Sequence, residues 1–136
     1  MSRFVLDASV AVAWCFEDET NPIADRALAA LGDGAALVPL VWSAEVGNAL
    51  IAGERRGRIT PDQIRQSLEL VSGLDIATDR DNVTARLVVL LDLARTLRLS
   101  LYDSICLDLA MRERLPLATV DTALARAAQA EGVALI

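Results

Sequence analysis

Short apolar runs alternate with longer helical stretches along this chain, and that alternation narrows the fold more than any other feature. Phe4–Leu6, Ala36–Val38, Leu74–Ala77 and Leu117–Val120 read as strands, with Val133–Ile136 as a possible fifth. The segments between them carry helix signals. Asn21-Pro22 and Thr60-Pro61 each pair an N-cap residue with proline at the first helical position, predicting helices to about Gly32–Gly34 and Ser72. Helical stretches also span Ser9–Phe16, Val41–Glu54 (its end bracketed by Gly53 and Gly57), Asn82–Thr96, Ser100–Arg114, and Asp121 or Thr122 to Glu131, where Gly132 is a stop. Strands alternating with helices imply an α/β fold, a parallel sheet of four to five short strands with helices on both faces. The 136 residues suit a single domain, 1–136, without linker, repeat or low-complexity segment.

Four acids occupy matching places on that framework. Asp7 and Asp121 follow strands, while Glu45 and Asp103 lie in the first turns of helices that come after strands or loops. In a parallel sheet these positions gather at one edge, where ligands bind. Each acid alone has a plain structural explanation. Asp7 and Asp121 suit helix N-caps. Ser100 and Asp103 have the spacing of a capping pair. Glu45 suits a solvated helix face, with Asn48 three residues on sharing it. Thr119, two residues before Asp121, points to the same side of an extended strand. Asp108 falls on another face from Asp103 and is expected in solvent. Capping does not account for a set that recurs at one edge, nor for Glu45 within an apolar stretch. Clustered carboxylates repel, and burial raises the cost. A divalent cation held by oxygen ligands, Mg²⁺ or Mn²⁺, is the simplest compensation.

Composition removes the competing chemistries. There is no histidine, so Ser-His-Asp and Cys-His catalysis are excluded and a Cys/His zinc site nearly so. All 13 basic residues are arginines, which excludes lysine-dependent receivers, haloacid-type phosphatases and P-loop enzymes. Cys15 and Cys106 read as small core residues. With a hydrophobic fraction of 54% and only 4% aromatic residues, the core must be Ala, Leu, Val and Ile. No apolar run approaches the ~20 residues of a membrane span, and Met1-Ser2-Arg3 lacks signal-peptide character. A soluble, cytoplasmic protein with no membrane association is expected. The net charge of −6 disfavours sequence-independent nucleic-acid binding, yet two bound Mg²⁺ ions would bring it to −2. Two ions on clustered carboxylates suit phosphodiester hydrolysis, one generating hydroxide and the other offsetting charge on the leaving oxygen. Arg55, Arg56 and Arg58 form the densest basic run and are candidates for nucleic-acid phosphates, although a solvated helix end explains them as well.

At the acids the chain resembles a known family. Phe4-Val5-Leu6-Asp7-Ala8-Ser9, Glu45-Val46-Gly47-Asn48-Ala49-Leu50, Leu101-Tyr102-Asp103-Ser104 with Leu107-Asp108-Leu109-Ala110, and Thr119-Val120-Asp121 are similar, in order and spacing, to the four motifs of PIN-domain ribonucleases of the VapC toxin type. The resemblance implies a PIN-like three-layer sandwich and an Mg²⁺- or Mn²⁺-dependent endoribonuclease. Asp7 and Asp103 would be the core metal ligands, Glu45 and Asp121 would complete the catalytic pocket, and Ser9, Asn48 and Thr119 would support it. It also implies a cognate antitoxin that puts a basic side chain into the acidic pocket, with Trp14, Phe16 and Trp42 as candidate anchors that core packing would equally explain. A homodimer or a larger toxin–antitoxin assembly is expected. The alternative is a non-catalytic protein-binding module that keeps the fold.

Overall fold

The computed structural model describes residues 2–136. Four strands, β1 (Arg3–Leu6), β2 (Ala35–Val38), β3 (Ile76–Thr78) and β4 (Leu117–Ala118), form an all-parallel sheet in the order β3-β2-β1-β4. The segment 133–136 adds a single bridge, Leu117 to Leu135. Phe4, Val5 and Leu6 are fully buried, as expected for a central parallel strand covered on both sides. The two-residue period of the strands divides the core. Phe4, Leu6, Ala36, Val38 and Ala118 face one cluster, and Val5, Leu37 and Leu117 face the other.

Seven helices cover these two faces. On the first pack α1 (Ala8–Cys15), α2 (Pro22–Ala30), α3 (Trp42–Arg55) and α4 (Pro61–Ser72). On the second pack α5 (Leu87–Leu97), α6 (Leu101–Glu113) and α7 (Thr122–Ala130). The cap signals act as their chemistry dictates. Asn21 accepts from the backbone N–H groups of Ile23 and Ala24, and Thr60 forms a reciprocal capping box with Gln63. Among the described residues no helix is long and apolar enough to cross a membrane.

Two local readings are corrected by packing. The stretch from Asn82 is not one helix: Thr84–Arg86 forms a 3-10 turn, and α5 starts only at Leu87. That turn sends Arg86 toward α6, where its Nε and Nη2 donate to the two oxygens of Asp108 at 2.9 and 2.6 Å. Asp108, expected in solvent, is only 7% exposed. Residues 104–110 of α6 are all buried, so position 108 has no route to water. Its charge is met instead by Arg86 and by Arg112, whose Nε donates to Asp108 at 3.0 Å and whose other nitrogens reach Asp79 and Asp81. This ion network ties the β3–α5 connection to the helix that carries Asp103.

Gly53 and Gly57 bracket the end of α3 at Arg55, as the sequence suggests. Gly57, with φ of +74°, makes the turn after the helix. Gly53 is needed for space, because a Cβ there would sit 2.5 Å from Cζ of the buried Phe16 ring. Gly53→Ala is therefore expected to destabilise the fold by about 1–3 kcal/mol through overpacking, although alanine is the better helix former by ~1 kcal/mol. The expected result is a lower urea midpoint with an unchanged m-value.

Candidate active site

The site is built outward from the end of β1. Asp7 directly follows that strand, and its N–H donates to Ala118 O of neighbouring β4 at 2.9 Å. It occupies the N-cap position of α1, but its side chain caps nothing. Its Oδ2 instead accepts from Ser9 Oγ at 2.5 Å and from Thr119 Oγ1 at 2.8 Å. Two hydroxyls thus hold one oxygen of a carboxylate that is only 5% exposed. The same hydroxyls accept from the chain itself: Ser9 Oγ from Val120 N–H at 3.2 Å, and Thr119 Oγ1 from Asp121 N–H at 3.1 Å. β4 ends at Ala118, so Thr119 and Val120 belong to the turn that makes these contacts and not to the strand.

The other acids arrive from three helices. Glu45 is in the first turn of α3 and Asp103 in the first turn of α6, where Ser100 Oγ accepts from Asp103 N–H at 3.1 Å. Asp121 caps α7 in the ordinary way, its Oδ1 accepting from Leu124 N–H at 3.0 Å. Electrostatics joins the four. Burial, then Asp7, then Asp103 push the Glu45 carboxyl up to about 7. Burial, then Asp7, then Asp121 push Asp103 up to about 6, against the lowering effect of Ser100. Asp7 and Asp103 thus act on Glu45, and Asp7 and Asp121 act on Asp103, so the four charges are linked through pairwise coupling.

Cys106 lies beneath this pocket. Its thiol is pushed well up by burial first, and then by Asp7, Glu45 and Asp103. The sequence pointed only to a core cysteine. Its position three residues after Asp103 on α6 was the available sign that it shares the acid face. Asn48 and Tyr102 are exposed and, with Glu45, line a groove of about 650 Å³ beside α3.

Not every candidate joins the site. Arg58 donates to Asp18 and Glu19 and lies over the Phe16 ring, 4.4 Å from its centroid, so its charge is already engaged. Arg55 and Arg56 are exposed at the end of α3. Phe16 and Trp42 are core residues, and Trp14 is half-buried with its indole N–H donating to Ala24 O.

The PIN domain family model matches residues 4–130. The chain belongs to the PIN domain family. PIN domains are generally nucleases and typically use divalent metal ions. Among solved structures, the crystal structure of PAE2754 from Pyrobaculum aerophilum is similar, with a TM-score of 0.71 and 20% identity over 93% of this chain and 84% of that one. At that identity the likeness concerns the fold. No curated protein sequence matches the chain significantly.

The donor set fits a hard divalent cation: carboxylate oxygens from four elements, with no histidine and no accessible thiol. Among the described residues no three or more His, Cys, Asp or Glu side chains form a group that could hold a metal ion.

The raised carboxyls have a consequence for stability. Glu45 and Asp103 titrate above their unfolded values of about 4.3 and 3.9, so between about pH 4 and 7 the folded chain holds more protons than the unfolded one. Without metal, stability then falls as pH rises through that window. After allowance for solvent screening, removing one of these charges is worth on the order of 1 kcal/mol. Glu45→Gln and Asp103→Asn are thus expected to raise the Tm in EDTA at pH 8 by a few degrees and to flatten its dependence on pH. A Tm that climbs between pH 5 and 8 in the metal-free wild type would contradict the arrangement.

Proposed function

We propose that the chain is an Mg²⁺- or Mn²⁺-dependent endoribonuclease, the toxin of a toxin–antitoxin pair that a cognate antitoxin neutralises in the cytoplasm. One observation carries the enzymatic part. Asp7 is buried at the sheet edge, spared from capping, hydrogen-bonded by two hydroxyls, and coupled to Glu45 and Asp103. A buried carboxylate that leaves its own helix uncapped and is charge-coupled to other acids is the kind of group found at functional sites.

In this reading Asp7 and Asp103 are the principal holders of the cation, and Asp121 contributes the oxygen that does not cap α7. When bound, the cation supplies an acidified water and offsets charge on the leaving oxygen. Ser9 and Thr119 keep Asp7 oriented through Oδ2. Glu45, whose carboxyl lies nearest neutrality, is the group suited to accept a proton from the attacking water.

The antitoxin part draws on a different surface. Trp14, Leu28, Leu70, Val71 and Leu74 line an apolar groove of about 260 Å³ between α1, α2 and α4. It runs into a second depression of about 420 Å³ that carries Glu17, Asp18 and Arg58. Leu70 is 76% exposed there, an unusual position for leucine on a finished surface. An apolar helix with flanking charges would fit. Val88 and Val89, exposed on α5, support a homodimer or larger assembly in the same way. The same groove favours the second reading, a binding module without catalysis.

RNA incubated with Mn²⁺ separates the two. Cleavage is expected to stop with EDTA and to drop at least ~100-fold for Asp7→Asn or Asp103→Asn, the upper end of what losing even an outer-shell partner costs. Thr119→Val is expected to lose about 10- to 100-fold. Cleavage that survives both EDTA and Asp7→Asn belongs to a contaminant, and none under any condition favours the binding module.

A further inference from the structure

The trough beside Glu45 differs in chemistry from the acids it adjoins. Its floor is the outer face of α3, paved by Ala44, Ala49 and Ala52 around the Asn48 amide. Tyr102 of α6 forms the opposite wall. This is the only tyrosine of the chain, and it is 55% exposed although it directly precedes the buried segment of α6. Core packing does not explain an aromatic ring left in water there. The side chains along this floor follow helical spacing: 45, 49, 52 and 56 lie on one stripe. Arg56, exposed at the C-terminal end of α3, therefore stands beyond the trough on the side of Glu45, about 16 Å away at 1.5 Å per residue. Negative oxygens at one end, an open aromatic face beside a flat alanine floor, and a free guanidinium at the other make a track for a phosphate-linked chain of flat bases.

We propose that this trough seats the single-stranded RNA flanking the cleaved phosphate, with Tyr102 stacking on one of its bases. The inference rests on the nuclease reading above and adds the determinant that grips the strand. Stacking tolerates any base, so Tyr102 confers affinity and register rather than sequence choice. The small side chains of the floor leave the ring face open, and Asn48 can reach a base edge or a sugar from the same side.

The test is fluorescence anisotropy with a labelled single-stranded oligoribonucleotide in Mn²⁺, on an Asp7→Asn background so that the RNA survives. Tyr102→Ala is expected to raise Kd about tenfold, within the range of base–aromatic stacking. Tyr102→Phe, which keeps the ring, is expected to stay within about twofold. On an oligonucleotide with abasic sites flanking the cleavage position, the tyrosine and alanine chains should bind alike. Equal affinities on the intact strand, a penalty that persists on the abasic strand, or no RNA binding by any variant would overturn the proposal. Wild-type cleavage is measured separately, so a chain that grips RNA through Tyr102 without cutting it sinks the hydrolytic reading and leaves the stacking intact.

Discussion

The grip of two hydroxyls on one oxygen of Asp7 is the contact on which the rest of the site depends. It joins the end of β1, the start of α1 and the turn after β4, using atoms 112 residues apart in the chain. Because Phe4, Val5 and Leu6 of β1 are fully buried between β2 and β4, the backbone at Asp7 cannot shift without disturbing the core. Its charge is thus a fixed point, and Glu45, Asp103 and Asp121 must arrange themselves in its field. Had Asp7 turned to cap α1, its side chain would have been spent on backbone N–H groups and the pocket would have lost its centre.

Holding four carboxylates near one another requires an opposing force, and the packing supplies it from both faces of the sheet. Trp42, Val46 and Leu50 anchor α3 in one core cluster, while Cys106, Leu107, Leu109 and Ala110 anchor α6 in the other. Repulsion between Glu45 and Asp103 can therefore shift protons more easily than it can part the helices. The ion network around Asp108 adds to this restraint. Arg86 and Arg112 close on a nearly buried carboxylate, and Arg112 also holds Asp79 and Asp81, so α6 is pinned to the connection that precedes α5. Removing one arginine leaves Asp108 with a single partner.

Much of the fold was legible in the order of residues, and the four acids were legible there as candidates. Asn21-Pro22, Thr60-Pro61 and Ser100 announce helix starts because a cap and its N–H partners lie within three residues of each other. The four acids stood out because they recur after strands. What escaped were the residues whose meaning lies in a distant partner. Asp108 looked like a surface acid because its arginine comes from position 86, through a 3-10 turn that the apolar run from Leu87 concealed. The packing role of Gly53 was hidden because Phe16, the ring it makes room for, is far away in the chain. Arg58 read as one of three equivalent arginines until Asp18, Glu19 and Phe16 set it apart.

The chain on its own determined the succession of strands and helices and their caps, since each of these follows from neighbours a few residues apart. Only the folded molecule decided how each carboxylate is used: Asp121 caps, Asp7 does not, and Glu45 and Asp103 hold protons to unusually high pH. It also decided that Tyr102 faces an open trough instead of the core. The reason is physical. Hydrogen-bond competition, desolvation and charge coupling depend on distances across the sheet, and no local pattern of residues carries those distances.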